Sequence, residues 1–170
     1  IQDIAKAANI GKGTVYQYFE TKEEIIIQVA MELMSQMDKM FGVEFFQIPD
    51  PREKLRVLVK KTSEMVGNMK ELMMVYIEIW RINMRDKELG VSMLILHDAL
   101  ASYRKLIMSI IEDGKNQGLF KKDLNEKSMA IFFTASMDGL AMHYLLNGEG
   151  FDLEKICDDF LQGLFKGMEV

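Results

Sequence analysis

The sequence has one cysteine, Cys157, and two prolines, Pro49 and Pro51, in 170 residues. A single thiol excludes a disulfide framework within the chain and suits a cytoplasmic location. With both prolines confined to "IPDPREK", the long stretches on either side are free to be helical. No apolar run approaches the roughly 20 residues that a membrane-spanning helix needs, so no membrane partner is expected. Asp3 and Lys6 interrupt the apolar pattern of "IQDIAKAANI", which does not read as a signal peptide. Positive charge is also short: 21 Lys and Arg face 26 Asp and Glu, a formal net charge of -5. Without a global basic field, any surface that binds an anion has to be local.

What is present points to a folded helical protein. The chain is 49% apolar and 28% charged, and it carries fifteen methionines, a good helix former and an adaptable filler of irregular cavities. The fold class expected is all-α. Ile1, Ile4, Ala5 and Ala8 recur at helical spacing, and Asn9, which tolerates the left-handed conformation, closes this first helix. Ile10 is expected to turn inward. Gly11 then caps a short second helix over Lys12–Tyr18. Thr21 followed by Glu24 is a capping-box signature for a long third helix with the stripe Ile26, Val29, Leu33, Met37, Met40 and Phe41.

The Pro49–Pro51 segment is the clearest boundary, giving a first unit over 1–41 and a second over 42–170. Beyond it, Leu55, Leu58, Val59, Thr62, Met65, Val66 and Met69 form another stripe. "ELMMVYIEIW" is apolar on nearly every side and reads as a buried helix. A long helix over about 86–117 should end at Gly118. The next begins at Leu124 or Asn125 with the stripe Met129, Phe132, Phe133, Ser136, Met137, Leu140, Ala141 and Tyr144. The last follows Asp152 as N-cap. These two helices carry more apolar surface than one face each requires, and Ala130, Ala135, Gly139 and Ala141 permit close helix approach. They fit either a homodimeric four-helix bundle or the core of a monomer.

Helix, tight turn, short helix and third helix is the layout of a helix-turn-helix, whose second helix enters the DNA major groove. In "NIGKGTVYQYFETKEEI", Gly11 and Gly13 allow close backbone approach, and Lys12 supplies positive charge. Thr14, Tyr16, Gln17 and Tyr18 add hydrogen-bonding groups, and Lys22 stands at the start of the third helix. Val15 and Phe19 read as core. "GKGT" lacks the GxxxxGK[ST] spacing and the preceding strand of a P-loop. His97 and His143 have no ligand-like partner three or four residues away, and Cys157 lies on an apolar stripe. Neither metal nor cofactor is expected, and no nucleophile–base set marks an enzyme. Met65, Met69, Tyr76, Trp80, Phe133 and Met137 are candidates to line a cavity for an apolar ligand, with ordinary core packing as the other reading.

The stretch "IQDIAKAANIGKGTVYQYFETKEEI" resembles the DNA-binding signature of the TetR family of transcriptional regulators, through Ile4-Ala5, "KGTVYQYF" and "KEE". Asn9 stands where that family commonly has Gly, and Gly11 where it commonly has Ser. The family's first helix would precede Ile1. The resemblance implies a DNA-binding domain followed by a helical ligand-binding and dimerisation domain. Implied partners are a palindromic double-stranded DNA operator, a small hydrophobic or amphipathic effector, and a second copy joined through the last two helices. It assigns DNA contact to Lys12, Gly13, Thr14, Tyr16, Gln17, Tyr18 and Lys22, with repression as the commoner mode. A helical protein-interaction module without sequence-specific DNA binding is the alternative.

Overall fold

The structure is a computed structural model that describes residues 1–68, 74, 77, 81, 90–147 and 150–170. Its described helices are α1 (Gln2–Ala7), α2 (Lys12–Tyr18), α3 (Lys22–Met40), α4 (Val43–Phe46), α5 (Pro51–Asn68), α6 (Gly90–Asn116), α7 (Glu126–Asn147) and α8 (Leu153–Met168). Among the described residues the only β pairing is an isolated bridge between Phe120 and Glu169. Of "ELMMVYIEIW" only Met74 and Ile77 are described, both helical, and Met74, expected in a buried helix, is 58% exposed; the expected start of the long helix at Asp86 lies outside the described residues.

The helix boundaries follow local chemistry. Pro51 opens α5, and the Asp50 carboxylate accepts the Arg52 N–H at 2.8 Å. Asn125 Oδ1 accepts from the Ser128 N–H at 2.8 Å, and Asp152 Oδ1 from the Lys155 N–H at 3.0 Å. These bonds satisfy helix-end donors that would otherwise face only water. At the end of α6, Gly118 takes φ 72°, a left-handed conformation that glycine adopts without strain. The Leu119 N–H reaches the Gly114 carbonyl at 2.9 Å and the Gly118 N–H reaches Lys115 at 3.1 Å, a Schellman closure. The helix α4 escaped the sequence reading because four residues give no periodicity. Tertiary packing holds it: Phe45 is buried, with its ring 4.8 Å from Phe41 and 5.2 Å from Phe46.

One continuous core joins α4 and α5 (Phe45, Leu55, Leu58, Val59, Val66), α6 (Ile107, Ile110, Ile111), α7 (Ala130, Phe133, Met137, Ala141) and α8 (Leu153, Cys157, Leu161, Phe165, Met168). Helix α6 packs on α3, α5 and α7, while α8 packs on α5. A polar tie crosses this core, with the Tyr103 hydroxyl of α6 3.1 Å from Thr62 Oγ1 of α5. Thr62 donates in turn to the Leu58 carbonyl at 2.9 Å. Burial pushes the Tyr103 hydroxyl up to about 12, against the Thr62 bond, so it stays a neutral donor at physiological pH.

Helix α7 departs from expectation in two ways. Over Glu126–Leu146 it is long and apolar enough by composition to cross a membrane, with mean hydropathy 1.3, although only 28% of that stretch is buried. Phe132, expected in the core stripe, is 72% exposed. Both follow from two apolar sides on one helix. Ala130, Phe133, Met137 and Ala141 enter the core, while Ile131, Phe132, Met142 and Leu146 face outward. Ala135 and Gly139 share that outward side, where a Cβ built on Gly139 meets nothing within 4 Å.

The Phe120 ring is fully buried and lies against the backbone of Gly114. A Cβ added at Gly114 would stand 2.1 Å from Phe120 Cδ2. Gly114→Ala is therefore expected to lower unfolding stability by about 1–3 kcal/mol through overpacking. The check is the midpoint of chemical denaturation beside Gly67→Ala in α5, whose added methyl has open space and should leave stability within ~1 kcal/mol of the parent.

Candidate nucleic-acid interface

Helix α1 ends as its sequence foretold. Asn9 adopts φ 55°, the Asn9 N–H bonds to the Lys6 carbonyl at 3.1 Å, and the Ile10 N–H reaches Ala5 at 2.9 Å. This repeats the Schellman closure of α6 with asparagine in place of glycine. The turn brings α2 back across α1, and Ala5 and Val15 become the buried residues of the pair. Ile10, expected to turn inward, is 41% exposed. The two helices, of six and seven residues, bury one small side chain each.

Gly11 precedes α2 in extended conformation and offers no side-chain cap, so the second helix starts with uncapped N–H groups. With Val15 inward, the 3.6-residue period turns Gly13, Tyr16 and Gln17 away from it, while Lys12 and Tyr18, three positions to either side, flank its own face. Lys12, Gly13 and Gln17 are exposed, as are Tyr16 at 47% and Tyr18 at 73%; Thr14 is half-buried. Phe19, expected as core, is half-buried where the chain leaves the helix. Lys22 is exposed at the first position of α3. The structure thus brings all seven candidate DNA-contacting residues onto one short helix and the helix start that follows it.

Gly13 is informative because the fold does not demand it. Its Cβ would meet nothing within 4 Å, and it lies inside a helix, where glycine costs roughly 1 kcal/mol against alanine. A bare backbone on an exposed helix face suits close approach by another molecule. Lys6, Lys12 and Lys22 form no ion pair among the described residues, so their charges remain available to an anion.

The cavity candidates divide. Phe133 and Met137 are buried in the main core, Met65 packs against it half-buried, and Met69, Tyr76 and Trp80 lie outside the described residues. Near them are two polar groups that the sequence reading passed over, Tyr103 of α6 and Asp138 of α7. Burial raises the Asp138 carboxyl, with the Arg104 charge opposing, and burial pushes the Cys157 thiol up to about 11. Their signal is positional: Tyr103 and Thr62 acquire a shared environment only when α5 meets α6. A cleft between α5, α7 and α8, lined by Lys60, Ser63, Glu64, Gly67, Tyr144, Leu153 and Glu154, holds about 160 Å³. That is below the ~300 Å³ at which small-molecule pockets begin, and it includes none of the cavity candidates.

An outward-facing second helix held by a tight turn, on an all-helical body, defines a helix-turn-helix DNA-binding regulator. The family described as bacterial regulatory proteins, tetR family, matches residues 1–29, and the YsiA-like C-terminal region matches residues 22–167. The chain belongs to the TetR family of transcriptional regulators. It is 23% identical over 169 residues to the fatty acid metabolism regulator protein of Bacillus subtilis (strain 168), spanning 99% of this chain and 84% of that protein. Over 172 residues it is 22% identical to the transcriptional repressor KstR2 of Rhodococcus jostii (strain RHA1), covering 99% and 80%. The structure of Bacillus subtilis FadR in complex with stearoyl-CoA superposes with a TM-score of 0.82 at 23% identity, covering 98% of this chain and 87% of that one. The regulator reading holds over that of an interaction module.

Asn9 carries a left-handed backbone without glycine's freedom, helped by its short polar side chain. Asn9→Ala is expected to destabilise α1–α2 by about 1 kcal/mol, and Asn9→Gly to match or exceed the parent. Amide hydrogen exchange of Val15, the buried residue of α2, measures both.

Proposed function

We propose that this regulator is a repressor that reads a palindromic operator as a homodimer and releases it when an amphipathic acyl-CoA binds the helical body. The observation that carries the reading is the display on α2: Lys12, Tyr16, Gln17 and Tyr18 point outward from a helix anchored by Val15, beside an unobstructed Gly13. In this assignment Lys12 and Lys22 neutralise phosphates, and Gly13 lets the backbone approach one. Thr14, Tyr16, Gln17 and Tyr18 position the helix and meet base edges. Residues 1–41 form the reading domain with its connecting helix, and 42–170 the effector-binding and dimerisation domain. The protein works in the cytoplasm, on DNA and a soluble effector, without catalysing a reaction.

The dimer forms through α7 and α8. Ile131, Phe132, Met142 and Leu146 are exposed along one side of α7, and Ile156 on α8. Gly139, Gly163 and Gly167 leave room for a second backbone. An apolar face of this extent on two adjacent helices suits a symmetric four-helix contact. Two recognition helices would then meet successive major grooves about 34 Å apart.

The effector class rests on the Bacillus subtilis relative, which is a fatty acid metabolism regulator and whose structure holds stearoyl-CoA. Met65, Met69, Tyr76, Trp80, Phe133 and Met137 serve as the apolar wall. Helix α3 is the lever, since it runs from the reading head and packs on α6. Effector bound among the middle helices shifts α6 and with it α3, changing the spacing of the recognition helices.

Fluorescence anisotropy against operator duplexes selected from a random pool tests the DNA reading. Lys12→Ala should weaken binding and lower the slope of log K against log salt by about 0.9 per operator-bound subunit. Tyr16→Ala should weaken specific binding while leaving the slope unchanged. Unchanged affinity in both variants would remove α2 from the interface. A separate titration follows the effector: stearoyl-CoA should weaken operator binding, and saturating operator should weaken stearoyl-CoA binding by the same factor. Effector affinity indifferent to operator would sink the release mechanism.

A further inference from the structure

Three residues, Phe19, Glu20 and Thr21, separate the recognition helix from α3. The Phe19 N–H still belongs to α2, bonding to the Val15 carbonyl at 3.0 Å, while Phe19 itself is extended at φ -135° and ψ 118°. The Glu24 N–H donates to Thr21 Oγ1 at 3.1 Å, the first half of a capping box. The second half is displaced. In the usual box the acid at the third helical position returns to the N–H of the capping residue itself. Here the Glu24 carboxylate passes Thr21 and accepts the Glu20 N–H at 2.7 Å. The side chain therefore spans from the first turn of α3 to the residue just after the α2 cap.

We infer that Glu24 is a positioning residue that couples rotation of α3 to the recognition helix. The inference rests on the lever reading above and adds the joint through which the lever acts. With Phe19 tied to α2 and Glu20 tied to α3, few backbone torsions are left to absorb a swing of α3. Removing the carboxylate frees the Glu20 backbone, and a moving α3 then turns without carrying α2.

Glu24 also places a negative charge two residues from Lys22, so charge and tether have to be separated. Glu24→Gln removes the charge and keeps an acceptor oxygen; Glu24→Ala removes both. Each dimeric variant is titrated with selected operator, with and without stearoyl-CoA, and against operators whose half-sites are moved apart by one and two base pairs. Both variants should bind operator somewhat more tightly at low salt, because a like charge facing phosphate is gone. In Glu24→Ala the effector-induced fold-change in operator Kd should shrink by about 2–30-fold, the range expected when a coupling element is altered. In Glu24→Gln it should stay within about twofold of the parent. Glu24→Ala should also tolerate the shifted half-sites that the parent and Glu24→Gln reject. A parent that ignores stearoyl-CoA would overturn the effector assignment and leave the joint to the spacing series. Glu24→Ala with the parent's spacing penalty would overturn the joint, as would its retaining the full effector response.

Discussion

The reading head of this protein is joined to its body through α3, and that single covalent path organises everything around it. Among the described residues, α1 and α2 meet over Ala5 and Val15. Three residues after α2 the chain enters α3, which packs on α6. In the proposed mechanism a shift of α6 reaches the head along this path.

The core of the body gathers described residues from Phe45 to Met168, and the end of α8 is fastened to the rest. The Lys121 N–H bonds to the Met168 carbonyl at 2.8 Å, Lys121 Nζ to the Gly167 carbonyl at 2.8 Å, and Arg52 lies 3.7 Å from Glu169. Gln117 reaches the Pro49 carbonyl at 3.1 Å, and Arg56 sits 5.1 Å over the Phe165 ring. Lys115 pairs with Glu126 across the turn between α6 and α7, holding that carboxyl below its usual range. The more exposed of these pairs, such as Arg52–Glu169, contribute little individually.

Helix α7 serves two surfaces at once. A helix with one apolar stripe is satisfied by one core, whereas α7 buries Phe133 and Met137 and leaves Phe132 and Leu146 outward. Composition alone reads such a helix as capable of crossing a membrane, because hydropathy averages over the circumference and discards direction. The same averaging placed Phe132 beside Phe133 in a single stripe, although neighbours in a helix point about 100° apart.

Much of this protein was legible in its sequence because the governing interactions are local. Asn9 in the left-handed region, Gly11 before α2, Gly118 after α6, and the caps at Asn125 and Asp152 involve residues within five positions of one another. The outward turn of Gly13, Tyr16 and Gln17 follows from the helical period once Val15 is taken as the inward residue, whereas the exposure of Lys12 and Tyr18 does not. Tertiary structure alone decided the rest. It folded Val43–Phe46 into a helix against the core, left Ile10 partly open, and brought Thr62 of α5 to Tyr103 of α6 across 41 positions. It also carried the Glu24 carboxylate past Thr21 to Glu20. A capping signature names the residues that are able to bond, but the angle between two helices chooses which N–H the carboxylate meets.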